Sequence, residues 1–244
     1  MLAVETFKAN LAEVDRLIHF DREILQIMEM TVQDLHDQLR PKFADERLNG
    51  GRALRVVKGI RENETVRVKF QAIYNQATVL LVSHFASALG DLFRDAVAVR
   101  LGTADPGKVL DEDFKISVAE MRDRDWNFKA AVPELLIAKH DFTFQDMQAT
   151  VRAFQNYAGR AVPRDVVMNN IIAAQACRHV IVHAGGRVTE RAVKQVSNAS
   201  PRTLKPLLQL GEQVQFTLAE VEQVKSDMLT FIETLGSSGD SSAH

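Results

Sequence analysis

Arg178, His179 and His183 sit within the stretch QACRHVIVHAGGRV, residues 175–188. These are residue types that move protons and clamp anions: imidazole titrates near neutrality, and guanidinium is a permanent, forked cation. Placing all three in an apolar helical run is costly, so their geometry has to be considered first. A helix turns about 100° per residue. His179 and His183, four apart, therefore share a face, whereas Arg178 and His183, five apart, do not. The second pair converges only if the helix end unwinds or a second chain brings its copy alongside. Gly185-Gly186, directly after His183, marks where such an end falls.

The residues support three readings. As a metal site, the histidine pair lacks a third ligand: no Asp, Glu or Cys lies on that face within a turn, and Arg178 next door repels a cation. As scaffold, two histidines near a helix C-terminus interact favourably with its dipole, and Arg178 finds an ion pair. With seven histidines in the chain, roughly one Arg followed four to six residues later by His arises by chance, so the spacing alone has no specificity. As a catalytic set, the imidazoles exchange protons while the guanidinium stabilises developing charge on an anion.

These residues require an element to hold them, and the pattern around them is helical throughout. Residues 4–39 repeat at a three-four spacing (Val4, Phe7, Leu11, Val14, Ile18, Leu25, Met28, Val32, Leu35, Leu39), which predicts a long helix with one seam, interrupted by Asp21 and ended at Arg40-Pro41. A second long helix is expected from about 66 to 100, closed by Gly102 and Asp105-Pro106-Gly107. Between them, residues 46–69 hold Arg47, Arg52, Arg55, Lys58, Arg61, Arg67 and Lys69. They read as a partly irregular, solvated connection of mixed charge. Pro133 is placed at the first turn of a short helix ending at Lys139. Thr143 reads as the N-cap of a helix that runs to Tyr157 and stops at Gly159, and another helix spans Arg164 to about His183. Thr217 and Glu220 form a capping box opening the last helix, 218–235. An antiparallel arrangement of first and last helices would bring Lys225 to Asp21. Leu208, Leu210, Val214 and Phe216 alternate around Gly211 in the pattern of a tiny β-hairpin. The expectation is an all-α bundle with two long helices, one domain over 1–235 and a flexible tail over 236–244.

Bulk properties narrow the function. The chain has 244 residues, 46% of them hydrophobic, and a formal net charge of −2, so any nucleic-acid contact must be a local basic patch. The single cysteine, Cys177, excludes an internal disulfide and reads as buried filler in a reducing compartment. Charged residues from Glu5 onward argue against a signal peptide. The best apolar run, QATVLLVSHFASALG, is broken by Ser83 and His84, so no membrane span is expected and a cytoplasmic location follows. Gly-rich phosphate loops, zinc spacings and nucleophile elbows are not seen.

The motif resembles the signature of the HEPN superfamily: Arg, a polar residue, a few apolar residues, then His, here Arg178, His179, Val180-Ile181-Val182 and His183. IVHAGGRV looks like the continuation seen in the RiboL-PSP-HEPN-like branch. LVSHFASALGDLF (81–93) resembles that branch's long Ser-x-Phe helix, FTFQDMQATVRAF (142–154) its SFQ helix start, and GEQVQFTLAEVEQV (211–224) its last capped helix. The chain departs from the pattern at Ala86, where many relatives carry a glutamate. The resemblance implies a helical protein that dimerises through its motif helices and cleaves RNA without metal or cofactor, as toxin or defence nucleases do. Such a toxin is often paired with a small nucleotidyltransferase-like antitoxin. The implied roles are general acid or base for His183, transition-state clamp for Arg178, and phosphate or orienting contact for His179. Arg187, Arg191 and Lys194 follow the motif and suit the RNA backbone, or equally an ordinary solvated helix. The resemblance also admits non-cleaving members that bind RNA, nucleotide or a partner protein.

Overall fold

The structure is a computed structural model that describes residues 2–62 and 72–237, the side chains of 21 and 22 excepted. The regular elements among its described residues are helices, and no strand occurs among them. The helices are α1 (Leu2–Leu39), α2 (Gly51–Glu62), α3 (Ala72–Arg100), α4 (Val118–Asp123), α5 (Phe128–His140), α6 (Met147–Ala153), α7 (Val166–His183), α8 (Glu190–Ser197) and α9 (Leu218–Ser237). A 3-10 turn covers Gly107–Asp111, and α6 continues into a π-type turn, Phe154–Ala158. The two long helices, α1 and α3, are those expected. The start of the second near 66 lies outside the described residues, as does the tail beyond Ser237.

The seam of α1 divides in two. Ala3, Phe7, Leu11, Val14 and Ile18 are buried against α3 and α9. Beyond Ile18 the same repeat loses its cover, and Met28 and Leu35 are 46% and 49% exposed. That far half is flanked by α2 rather than by the core. Up to residue 62 the basic connection holds one helix, α2, in which Leu54 and Val57 are buried while Lys58 and Arg61 turn to Glu29 of α1 at 3.9 and 2.8 Å; Arg67 and Lys69 lie outside the described residues.

α3 and α7 form the centre. Phe85 of α3 meets Phe7 and Phe231, and Phe93 is surrounded by Phe142, Phe144 and Phe154 at centroid distances of 5.5–5.7 Å. Contrary to expectation, α3 is long and apolar enough to cross a membrane. Its hydropathy comes largely from valine, leucine and phenylalanine, and 61% of its most apolar window is buried in this bundle. α7 is apolar around its circumference and buried without interruption from Met168 to Cys177, which marks it as a core helix. Two of its buried polar residues have no signal in the sequence pattern. Asn170 accepts from the backbone N–H groups of Thr203 and Leu204 and donates to Asp227, and Asn169 donates to the carbonyl of Pro201. Together they dock the segment before α9.

Several helix starts differ from the sequence expectation. α5 begins five residues before Pro133, with Asn127 as its cap at 3.1 Å, so the proline lies inside the helix. α6 is capped by Asp146, which accepts from Ala149 N–H at 2.8 Å. Thr143 instead closes a tight turn with Gln145 N–H, and Phe144 between them has φ 55°, which a helix cannot include. The capping box of α9 is present as expected: Glu220 accepts from Thr217 N–H at 2.9 Å and Thr217 Oγ1 from Glu220 N–H at 3.3 Å. Lys225 reaches Asp15 of α1 at 2.9 Å; the side chain of Asp21, its expected partner, lies outside the described residues. The proposed hairpin does not form. Residues 211–214 pair antiparallel with 186–188 instead, through Val188 N–H to Glu212 O, Gly211 N–H to Val188 O and Val214 N–H to Gly186 O.

Candidate active site

The last turn and a half of α7 leaves the core, and the motif sits on that exit. Asp165 caps the helix start, accepting from Met168 N–H at 2.8 Å. At the far end Ala184 N–H and Gly186 N–H both return to the carbonyl of Val180, at 2.9 and 3.1 Å. This closure needs left-handed residues, and Gly185 and Gly186 have φ of 58° and 80°. A Cβ on Gly186 would stand 2.2 Å from Nε2 of Gln213. The chain then folds back into α8, capped by Thr189 at 3.3 Å, with Ala192 and Val196 packed on the core. The double glycine thus lays α8 alongside α7.

Between the two helices and the turn before α6 lies a cleft of about 210 Å3. Arg178, His179 and Arg191 line it together with Gln145, Gln175 and Gln195. Arg178 donates through Nη1 to Oε1 of Gln145 at 3.3 Å. Its Nε is buried without a hydrogen-bond partner among the described residues, and so is Nε2 of Gln175. Gln175 is 3% exposed, and its Oε1 accepts from Met147 N–H at 3.1 Å. That bond fixes the amide orientation, so the end left over is the donor. A buried polar group without a partner costs about 1–3 kcal/mol, which calls for an external acceptor. The carboxylate in the wall, Asp146, is already engaged as the cap of α6.

His183 does not line the cleft. It is exposed one turn further on, and its ring packs against His179 with centroids 4.8 Å apart. His179 therefore touches both halves of the motif within one chain, and Arg178 and His183 do not meet directly. Burial, followed by the positive neighbours Arg191, His183 and Arg178, pushes the His179 imidazole below its ordinary value, which favours the neutral ring at neutral pH. Of the three basic residues after the motif, Arg191 enters the cleft wall. Arg187 is exposed, with Nη1 3.4 Å from the carbonyl of Gly211, and Lys194 is exposed on α8 and does not line the cleft. Cys177 is fully buried, and burial pushes its thiol up to about 12, as suits a core residue rather than a nucleophile.

Sequence reasoning did not select the three glutamines. Glutamine carries no strong motif signal, and Gln175 and Gln145 acquire meaning only from their contacts with Met147 and Arg178. Ala86 lies nearby on α3, 7% exposed, in a shallow hollow that Gln145 also lines. The acceptor that meets Arg178 in this chain is an amide oxygen from α6's entry turn, not a carboxylate from α3.

A larger hollow of about 280 Å3 opens on the other side of that turn, lined by His140, Phe142, Phe144, Arg152 and Tyr157. Behind it Glu112 accepts from Lys139 Nζ at 2.6 Å and Tyr157 Oη at 2.5 Å, and lies 3.0 Å from His140 Nε2. Those hydrogen bonds, Lys139's first, hold the Glu112 carboxyl at about 2, and burial with the Glu112 contact takes the Tyr157 hydroxyl to about 12. These groups satisfy one another.

Neither a family model, nor a curated protein, nor a solved structure matches the chain. The class that the fold and site define is thus a helical bundle with an arginine- and histidine-lined cleft at the end of its central helix.

Proposed function

We propose that this protein is a metal-independent endoribonuclease of the HEPN type, acting in the cytoplasm as a toxin or defence nuclease. The observation that carries this reading is the cleft in which Arg178, His179 and Arg191 come together beside two buried donors that have no hydrogen-bond partner among the described residues. In the reaction an imidazole takes the proton of an RNA 2′-OH, whose oxygen attacks the adjacent phosphorus. The P–O5′ bond breaks and the leaving oxygen is protonated, giving a 2′,3′-cyclic phosphate and a 5′-OH. Arg178 stabilises the extra charge on the phosphorane. His183 serves as general base or acid, and His179 as the phosphate or orienting contact. Within one chain His183 stands outside the cleft wall, so the complete set requires a second copy packed against the α7 end, a symmetric arrangement that makes two composite sites. Arg187, Arg191 and Lys194 contribute positive charge along the RNA path, and a small nucleotidyltransferase-like protein is the antitoxin partner this reading implies.

A second reading, a non-cleaving domain that binds RNA, nucleotide or a protein, is favoured by Ala86, which leaves α3 without the carboxylate found in many HEPN relatives. The two readings separate in one assay. Purified wild-type protein is incubated with RNA in EDTA beside His183→Ala. The nuclease reading expects cleavage ending in cyclic phosphates that the variant loses. Equal cleavage by both removes His183 from the mechanism, and RNA binding without cleavage by either supports the second reading.

A further inference from the structure

The roles assigned so far leave the floor of the cleft unexplained. Gln175 lies one helical turn before Arg178 on α7, so the two side chains occupy neighbouring positions on one face. Met147 N–H ties down the carbonyl end of the Gln175 amide, and Gln145 takes Nη1 of Arg178. What remains on each is a buried nitrogen donor with no partner among the described residues, Nε2 on Gln175 and Nε on Arg178. The cleft wall adds the Arg191 guanidinium, while its Asp146 carboxylate is occupied by Ala149 N–H. Two fixed donors and a cationic rim complement an oxyanion, and the Asp146 carboxylate, whose Oδ1 accepts from Ala149 N–H, is the opposing charge in the wall.

We infer that Gln175 Nε2 and Arg178 Nε form a subsite for the non-bridging oxygens of a phosphate group. Gln175 is then a phosphate-contacting residue rather than a packing residue of the core. Its acceptor end sets the register of α6 against α7, and its donor end meets the ligand, so one side chain couples the position of the turn before α6 to occupancy of the cleft. Identifying that phosphate as the scissile group of RNA rests on the ribonuclease reading. The subsite itself does not.

The test uses the full chain labelled with 15N and titrated with inorganic phosphate. The expected result is a saturable shift of the Gln175 side-chain NH2 pair together with the Arg178 Nε–H resonance. Gln175→Glu retains the acceptor for Met147 N–H and replaces the donor with a negative oxygen. It should melt within a few degrees of wild type, lose at least about tenfold in affinity for a 2′-O-methyl RNA trinucleotide, and lose RNA cleavage in parallel. Shifts absent at both groups, or confined to Arg178, overturn the proposal, and so does a Gln175→Glu protein that binds the trinucleotide as wild type does. The wild-type titration decides the matter if the variant does not fold. If wild type shifts at both groups yet cleaves no RNA, the phosphate subsite stands and the ribonuclease reading falls. Cleavage without the paired shifts keeps the nuclease and discards the subsite.

Discussion

Two polar clusters lie on either side of the turn that leads into α6, and they differ in how their hydrogen bonds are closed. Around Glu112 the carboxylate, the Lys139 ammonium, the Tyr157 hydroxyl and the His140 ring satisfy one another. Around Arg178, the Gln175 amide and the guanidinium are held by one side-chain contact each, and two buried donors have no partner among the described residues. The first cluster faces the larger hollow, and the second faces the smaller one. Cavity volume and unpartnered donors therefore single out different clefts. The Glu112 group pins the 3-10 turn Gly107–Asp111 to α5 and to the π-type turn after α6, a structural task. The Arg178 group is the one we propose receives a phosphate.

This contrast is open to several tests. The largest effect is expected at the open cluster. Arg178→Ala should lower single-turnover RNA cleavage by about 100-fold or more, because it removes a charged donor from the developing phosphorane. Its melting temperature should move little, since the side chain is only half-buried. At the closed cluster the pattern reverses. Glu112→Ala should cost about 1–2 kcal/mol in urea unfolding by removing the acceptor that Lys139, Tyr157 and His140 share, and leave cleavage per folded molecule unchanged. A variant at either cluster that changes both properties equally would erase the distinction.

Acid offers a gentler probe. The Glu112 carboxyl sits at about 2 in the folded protein against an ordinary 4.5. Its stabilisation is therefore complete above about pH 4.5 and is lost as pH falls toward 2. Solvent screening leaves about 1 kcal/mol of this, and Glu112→Gln should lack that portion of the pH dependence. The smallest effect is expected at the α1–α9 contact, where Lys225→Ala removes a part-exposed ion pair with Asp15 and should cost under about 1 kcal/mol.

Most of the helical framework is legible in the sequence. The α1 seam, the Thr217–Glu220 box and the glycine stop after His183 all depend on neighbours within a few residues, and such local rules carry over to the structure. The misplaced helix starts have a common cause. At α6 two cap residues compete, and the left-handed Phe144, held by burial among Phe93 and Phe142, decides for Asp146. At α5 the Asn127 cap opens the helix early enough to enclose Pro133. The far half of the α1 seam reads like the near half, yet lacks a core to face. At the cleft, Arg178 and His179 are singled out by residue type together with the family resemblance; His183, singled out with them, does not line it, and Gln175 carries no signal. Its role depends on Met147, twenty-eight residues away, which no local pattern connects to it.

The central claim is that one catalytic set draws on two copies of the chain, and subunit mixing tests it most directly. Arg178→Ala and His183→Ala proteins, each inactive alone, are unfolded, mixed in equal amounts and refolded. A shared site predicts recovery of roughly a quarter of wild-type cleavage, since half the dimers are mixed and each mixed dimer rebuilds one of its two sites. No recovery from a mixture shown to contain mixed dimers would contradict the shared site.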